Sequence, residues 1–232
     1  LSIRGRDALR NLRFVSDTTG RLCVWHLPEG EPRLNKYVVT VDVGGRSDKS
    51  DWSVIAVMER RRGAVPRVVA QWRGHIDHDL LAWKAAAIAK FYQNALLVVE
   101  SNTLETESEY DTLYILEEIN SCYRNVYRRR ARESVNGEYL TKIGLHTNRA
   151  TKALAITELI AAVRDSGYEE ADVRACNELD TYQVSPSGAY AARPGCHDDI
   201  LMTRAISLYV IATLRSITSD EDIDTIASTP SW

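Results

Sequence analysis

A single carboxylate inside a β-branched run constrains this chain more than any other feature. Residues 37–43 read YVVTVDV, a segment whose branched side chains favour an extended strand buried on both faces. Asp42 sits near its end, and an ionised carboxylate there is costly unless cations or hydrogen-bond donors meet it. The pattern recurs at 96–100, LLVVE, where Glu100 closes a second short apolar strand. A third acidic group, Asp198 and Asp199, opens the last long apolar helix, where the helix dipole favours negative charge. Each acid alone has an ordinary explanation as a turn former or a helix cap. Their combination is more demanding. If the two strands are neighbours, Asp42 and Glu100 project from one sheet end, and the closing helix can bring its first turn to the same place. Carboxylates so gathered repel one another unless cations join them. Mg²⁺ or Mn²⁺ suits such an oxygen-rich set. Two such ions serve phosphodiester hydrolysis without a protein nucleophile, one activating the water and the other stabilising the leaving oxygen. Asp51, just beyond the turn after the first strand, and His197, beside the acid pair, are expected at the rim as supporting residues. His197 is read either as a group that moves a proton or touches a phosphate, or as an ordinary solvent-exposed histidine.

The order of elements sets the fold class. Residues 1–35, punctuated by Gly20, Pro28, Gly30 and Pro32, read as a lead-in with one short strand at 22–25. Strands are expected at 37–43, 52–59 and 65–74, joined by short turns into an antiparallel meander. An amphipathic helix over 77–93, capped by Asp77 or Asp79, then returns the chain to the strand at 95–100. A helix over 107–120 and a strand over 126–129 follow. A helix over 147–166 is capped by Thr147 and stopped by Gly167, and residues 172–184 are read as extended. The closing helix spans 198–214, and 216–232 is a Ser/Thr/Asp-rich tail expected to be flexible. The whole is an α/β chain with a mixed sheet, an antiparallel three-strand meander plus parallel strands, flanked by helices. The domain assignment is a lead-in at 1–35, a catalytic domain at 36–215 and the tail.

Composition narrows the function classes. The formal net charge is −3. A protein whose main task is gripping nucleic acid is usually basic, so affinity for DNA should be weak without help. Local basic clusters at Arg60–Arg61–Arg62 and at Arg128–Arg129–Arg130 with Arg132 read equally well as DNA contacts or as solvated surface. Cys23, Cys122, Cys176 and Cys196 form no CxxC pair, which argues against zinc and for reduced thiols. No long uncharged apolar stretch spans a membrane, and the basic start at 1–13 lacks the apolar core of a signal peptide. No G-x-x-x-x-G-K-[ST] occurs, so ATP hydrolysis is not expected of this chain.

Three segments carry a family resemblance. VDVGGRSDKSDWSV at 41–54, VVESNT at 98–103 and GCHDDIL at 195–201 resemble, in order and spacing, the three acidic nuclease motifs of viral terminase large subunits. TNRATK at 147–152 is similar to the segment that precedes the third motif, and GRLCVW at 20–25 to the interdomain connection. The resemblance covers roughly residues 36–215. It implies a ribonuclease H-like fold and Mg²⁺- or Mn²⁺-dependent cutting of double-stranded viral DNA during genome packaging. It implies catalytic roles for Asp42, Glu100 and Asp199, with metal ligation by Asp42, Glu100, Asp198 and Asp199. The third-motif ligand stays open between Asp198 and Asp199, with Asp199 favoured. The resemblance also implies an upstream ATPase domain, a portal and a small terminase subunit as partners, and action in the host cytoplasm. Two other readings are compatible with the residues. One is a resolvase or transposase-type nuclease on the same fold, and the other a non-catalytic module that docks on DNA or a portal.

Overall fold

Period-two alternation along two adjacent buried strands organises the molecule. The computed structural model describes residues 9, 10, 12–45, 51–100, 109–132, 139–185 and 188–214. β1 (Leu22–Val24), β2 (Tyr37–Asp42), β3 (Ser53–Glu59) and β4 (Arg67–Gly74) are followed by α1 (His78–Phe91) and β5 (Leu96–Val99). These strands form one five-stranded sheet in the order β1-β4-β3-β2-β5. The expected meander is present as β2-β3-β4, antiparallel throughout, and β5 adds to β2 in parallel after the α1 crossover. The lead-in contributes an edge strand: β1 pairs antiparallel with β4, and the Tyr92 hydroxyl donates to the His26 carbonyl at 2.8 Å.

The remaining elements are α2 (Glu109–Cys122), the ribbon β6 (Arg128–Arg132) with β7 (Tyr139–Ile143), α3 (Arg149–Arg164), α4 (Val173–Thr181), the hairpin β8 (Tyr182–Val184) with β9 (Tyr190–Ala192), and α5 (Asp199–Thr213). Two layers of helices bury the two faces of the sheet. Tyr37, Val39, Val41, Leu97 and Val99 join the core shared with α1 and α2. Val38, Leu96 and Val98, the alternate residues, join a second core with α3 and α5. Strands covered on both sides must be apolar at every position, which is why 37–41 and 96–99 show no polar alternation apart from Thr40. Thr40 shares a 2.7 Å hydrogen bond with Ser207 of α5, so even that hydroxyl is satisfied in the core.

Two local readings are corrected. Residues 172–184 are not extended throughout: α4 occupies most of the segment, with Asp172 as its N-cap accepting from the Arg174 backbone N–H at 3.0 Å. The strand expected from 126 begins at Arg128, and Val126 makes only an isolated bridge to Leu97 at the edge of β5. The expected tail at 216–232, residues 46–50 of the glycine-rich turn and residues 101–103 of the second acidic segment lie outside the described residues. Among the described residues no helix is long and apolar enough to cross a membrane.

Candidate metal centre

Strand register brings the first two acids together. Val41 pairs with Val99 in the parallel β2–β5 ladder, so Asp42 and Glu100 are the next residues along adjacent strands. The Glu100 backbone N–H donates to the Val41 carbonyl at 3.0 Å and carries the pairing one step further. Alternation then decides the face. Residues 38 and 40 of β2, and 96 and 98 of β5, face α3 and α5, so Asp42 and Glu100 fall on that side too. α5 crosses the same face, with Asp198 as its N-cap and Asp199 as its first residue.

The acids are close enough to perturb one another. Burial first, then the negative charges of Glu100, Asp199 and Asp198, hold the Asp42 carboxyl well above the usual carboxylate range. Asp42 and Glu100 are also joined by a side-chain hydrogen bond, which favours the proton on Asp42 and the charge on Glu100. Burial raises Glu100 as well, opposed by the Thr147 hydroxyl, by Lys152 and by the bond from Asp42. Two carboxyls in this relation share a proton and titrate as a pair.

The second layer of the site comes from α3 and the loop before it. Leu145 bridges Glu100, its backbone N–H donating to the Val99 carbonyl at 2.9 Å, and this lays residues 144–147 along the edge of β5. Thr147 thereby donates its hydroxyl to Glu100 Oε1. The cap of α3 is Asn148, whose side chain accepts from the Thr151 N–H at 2.9 Å. This corrects the reading of Thr147 as the cap. Lys152, one turn on, lies 3.8 Å from Asp198 Oδ2.

Asp199 is 6% exposed and stands at a junction. Burial, then the charge of Asp51, raises its carboxyl, while His197, a backbone N–H from Trp52 and Arg73 oppose the shift. Its Oδ2 lies 3.7 Å from His197 Nδ1 and 3.9 Å from an Arg73 nitrogen. Both distances exceed a hydrogen bond, and this buried oxygen has no donor. His197 Nδ1 is also 3.9 Å from Asp51 Oδ1. One ligand atom from each of Asp51, His197 and Asp199 can be chosen within 4.8 Å of the others, a spacing that could hold a metal ion. Asp51 is placed by the turn after β2. The Gly45 N–H donates to the Asp51 carbonyl at 2.9 Å, and a Cβ on Gly44 would lie 2.3 Å from that same oxygen. Only glycine permits so close a backbone approach.

All six residues expected at the site therefore meet at one sheet end. They form two overlapping groups: Asp42, Glu100 and Asp198 on one side, and Asp51, His197 and Asp199 on the other. Thr147, Lys152 and Arg73 complete the surroundings. The first two fall in the segment 147–152 already singled out, whereas Arg73, at the end of β4, carried no sequence signal. The donor set fits a hard divalent cation. It is rich in carboxylate oxygen, one oxygen is buried without a donor, and two of its acids hold their protons unusually well.

The fold is shared with solved terminase nucleases. The large terminase nuclease from thermophilic phage G20c, in a crystal structure with bound magnesium, matches with a TM-score of 0.61 at 17% identity, over 83% of this chain and 88% of that one. The human cytomegalovirus terminase nuclease domain matches with a TM-score of 0.51 at 12% identity, over 88% and 92% of the two chains. The HK97 bacteriophage large terminase matches with a TM-score of 0.51 at 9% identity, over 81% of this chain and 41% of that one. No protein-family model matches the sequence, and no curated protein does. The likeness establishes the fold expected above, a ribonuclease H-like mixed sheet flanked by helices.

Proposed function

We propose that this chain is the nuclease domain of a viral terminase large subunit, and that it cuts double-stranded DNA with the help of divalent cations during genome packaging. One observation carries the reading. On a fold shared with the G20c nuclease, Asp42, Glu100, Asp198 and Asp199 come from three distant segments to one sheet end and burden one another electrostatically. A shared proton relieves only part of that repulsion, and a hard divalent cation suits so oxygen-rich a set.

Asp42, Glu100 and Asp198 would hold one Mg²⁺ or Mn²⁺ ion, and Asp51, His197 and Asp199 a second. When bound, such ions polarise a phosphoryl oxygen and make water more acidic at neutral pH. The chain's own residues do the rest. Thr147 fixes the orientation of Glu100 by donating its hydroxyl, and Lys152 holds Asp198 from the outside. Trp52 does the same for Asp199 through its backbone N–H. To hold an ion as a carboxylate, Asp42 would have to lose the proton it shares with Glu100. His197, 46% exposed at its side chain, lies at the rim and would offer a ring nitrogen to the second ion.

The DNA grip is correspondingly modest. The β6–β7 ribbon, a separate two-stranded sheet, ends at Ile143, two residues before the Leu145–Glu100 bridge, so its base adjoins the acids. Its Arg128 and Lys142 are exposed and Arg129 half-buried, an arrangement suited to phosphate contact beside the site. With a chain charge of −3, the rest of the affinity has to come from elsewhere in a larger packaging assembly, including the ATPase domain, portal and small subunit that the resemblance implies.

The test is nicking of supercoiled plasmid by the purified chain. Activity with Mn²⁺ or Mg²⁺, abolished by chelation and by Asp42→Asn in a folded variant, is the expected result. No cleavage with either ion at high protein concentration, or full activity in Asp42→Asn, overturns the proposal.

A further inference from the structure

Asp198 is the N-cap of α5, yet its side chain makes no cap hydrogen bond. An acid in that position normally accepts from the backbone N–H two or three residues on, because those donors have no partner inside the helix. In α5 those donors belong to Ile200 and Leu201. Both are taken by another residue. Glu178, from α4, accepts from the Leu201 N–H through Oε2 at 2.9 Å, and its carboxylate also accepts from the Ile200 N–H. Glu178 is 8% exposed, and the arrangement is buried throughout. The carboxylate of Asp198 is thus released from its usual task and lies instead 3.8 Å from Lys152, among the other acids. Asp199 Oδ2 is likewise left without a donor.

We infer that Glu178 is a positioning residue for the metal centre: by capping α5 from α4, it frees Asp198 to receive a divalent cation. The inference rests on the proposed metal-dependent reading of the site and adds a residue that neither the acidic motifs nor the cation-ligand set contains. Its logic is substitution of one acceptor for another. If the Glu178 carboxylate is withdrawn, Asp198, as the N-cap, takes up the usual capping role toward the Ile200 and Leu201 N–H groups, and each bond it makes there removes it from the cation. Groups that orient metal ligands from behind commonly govern affinity in this way.

Two conservative variants separate capping from charge. Glu178→Asp keeps the charge and shortens the reach by one methylene. Glu178→Gln keeps the reach and an acceptor oxygen and removes the charge. Isothermal calorimetry with Mn²⁺ on the whole chain, well below its melting temperature, is expected to find Glu178→Asp about tenfold weaker than wild type. Glu178→Gln should stay within about threefold of it, far short of the loss usual when a supporting group is removed. Amide exchange at Leu201 should accelerate in the Asp variant and not in the Gln variant. The opposite order of Mn²⁺ affinities would mean that Glu178 acts through its charge, and equal affinities in all three proteins would mean that it does not act on the site. Either result overturns the inference. If wild type itself binds no Mn²⁺, the metal-dependent reading fails separately. The Leu201 exchange rates then still decide whether Glu178 caps α5.

Discussion

Asp42→Asn should make the cation-free protein more stable, although it alters the residue most central to the proposed chemistry. Asp42 and Glu100 are in hydrogen-bond contact, with Asp198 and Asp199 adding to the negative field. Two unit charges about 4 Å apart repel by about 4 kcal/mol at an effective dielectric near 20. The shared proton and the partial exposure of Asp42 remove part of that cost, leaving about 1–2 kcal/mol for Asn to recover, a typical size for one substitution. For a chain of this length that is an increase in Tm of about 2–8 °C. The pH dependence follows from the sign of the shift. The folded pKa of Asp42 lies above its unfolded value of about 3.9. Its favourable contribution is therefore complete below about pH 4 and is lost as pH rises through the folded pKa. The gap between variant and wild type should be small at pH 4 and widest at pH 8. Saturating Mn²⁺ reverses the order, because a cation at one hundred times its Kd adds about 2.7 kcal/mol to wild type and much less to the variant. Thermal melts by circular dichroism in EDTA and in Mn²⁺, from pH 4 to 8, make the measurement. A variant that melts below wild type in EDTA at pH 8, or a gap that ignores pH, refutes the reasoning.

Three further outcomes are expected. Thr147→Val removes the hydroxyl that Glu100 accepts from, and nicking should fall about tenfold while the melting temperature moves little. Unchanged kcat in that variant would remove Thr147 from the site. Gly44→Ala forces a Cβ to within 2.3 Å of the Asp51 carbonyl, and urea titration should find a loss of about 1–3 kcal/mol, a value near zero contradicting the turn geometry. Glu170→Ala removes two hydrogen bonds, of 2.9 and 3.0 Å, from Arg204, which is 1% exposed and keeps a 3.2 Å bond to the Thr203 hydroxyl. Breaking so buried a pair should cost about 3–5 kcal/mol, and a cost below about 1 kcal/mol in urea titration would mean that the guanidinium finds other partners.

Much of this arrangement was legible because strand alternation and acid spacing are local properties. The run at 37–43 and its echo at 96–100 carry their own period, so sheet, faces and acid pair follow once the strands are neighbours. What escaped reading depends on tertiary partners. α4 buries Ala175 and Glu178 rather than a stripe of large apolar residues, and a buried glutamate looks like a solvent-facing one in sequence. Thr147 and Asn148 are adjacent residues that both cap helices, Asn the better of the two. Only the position of Glu100, brought alongside by the Leu145 bridge, assigns the hydroxyl to the site and the amide to the helix. Arg73 ends an ordinary strand, and its relation to Asp199 exists only once α5 has docked.

That docking has a consequence in time. About 100 residues separate Glu100 from Asp199, and a ribosome adding 5–20 residues per second takes roughly 5–20 s to cross the interval. During it the sheet with Asp42 and Glu100 can form, but the helix that pins itself to Thr40 through Ser207 has not been made. A nascent chain therefore carries Asp42, Asp51 and Glu100 but lacks Asp198 and Asp199, and the proposed cation site stays incomplete until synthesis has passed α5. Because the pieces are so far apart in sequence, the proposed cation site is completed late, only once α5 can dock on the sheet.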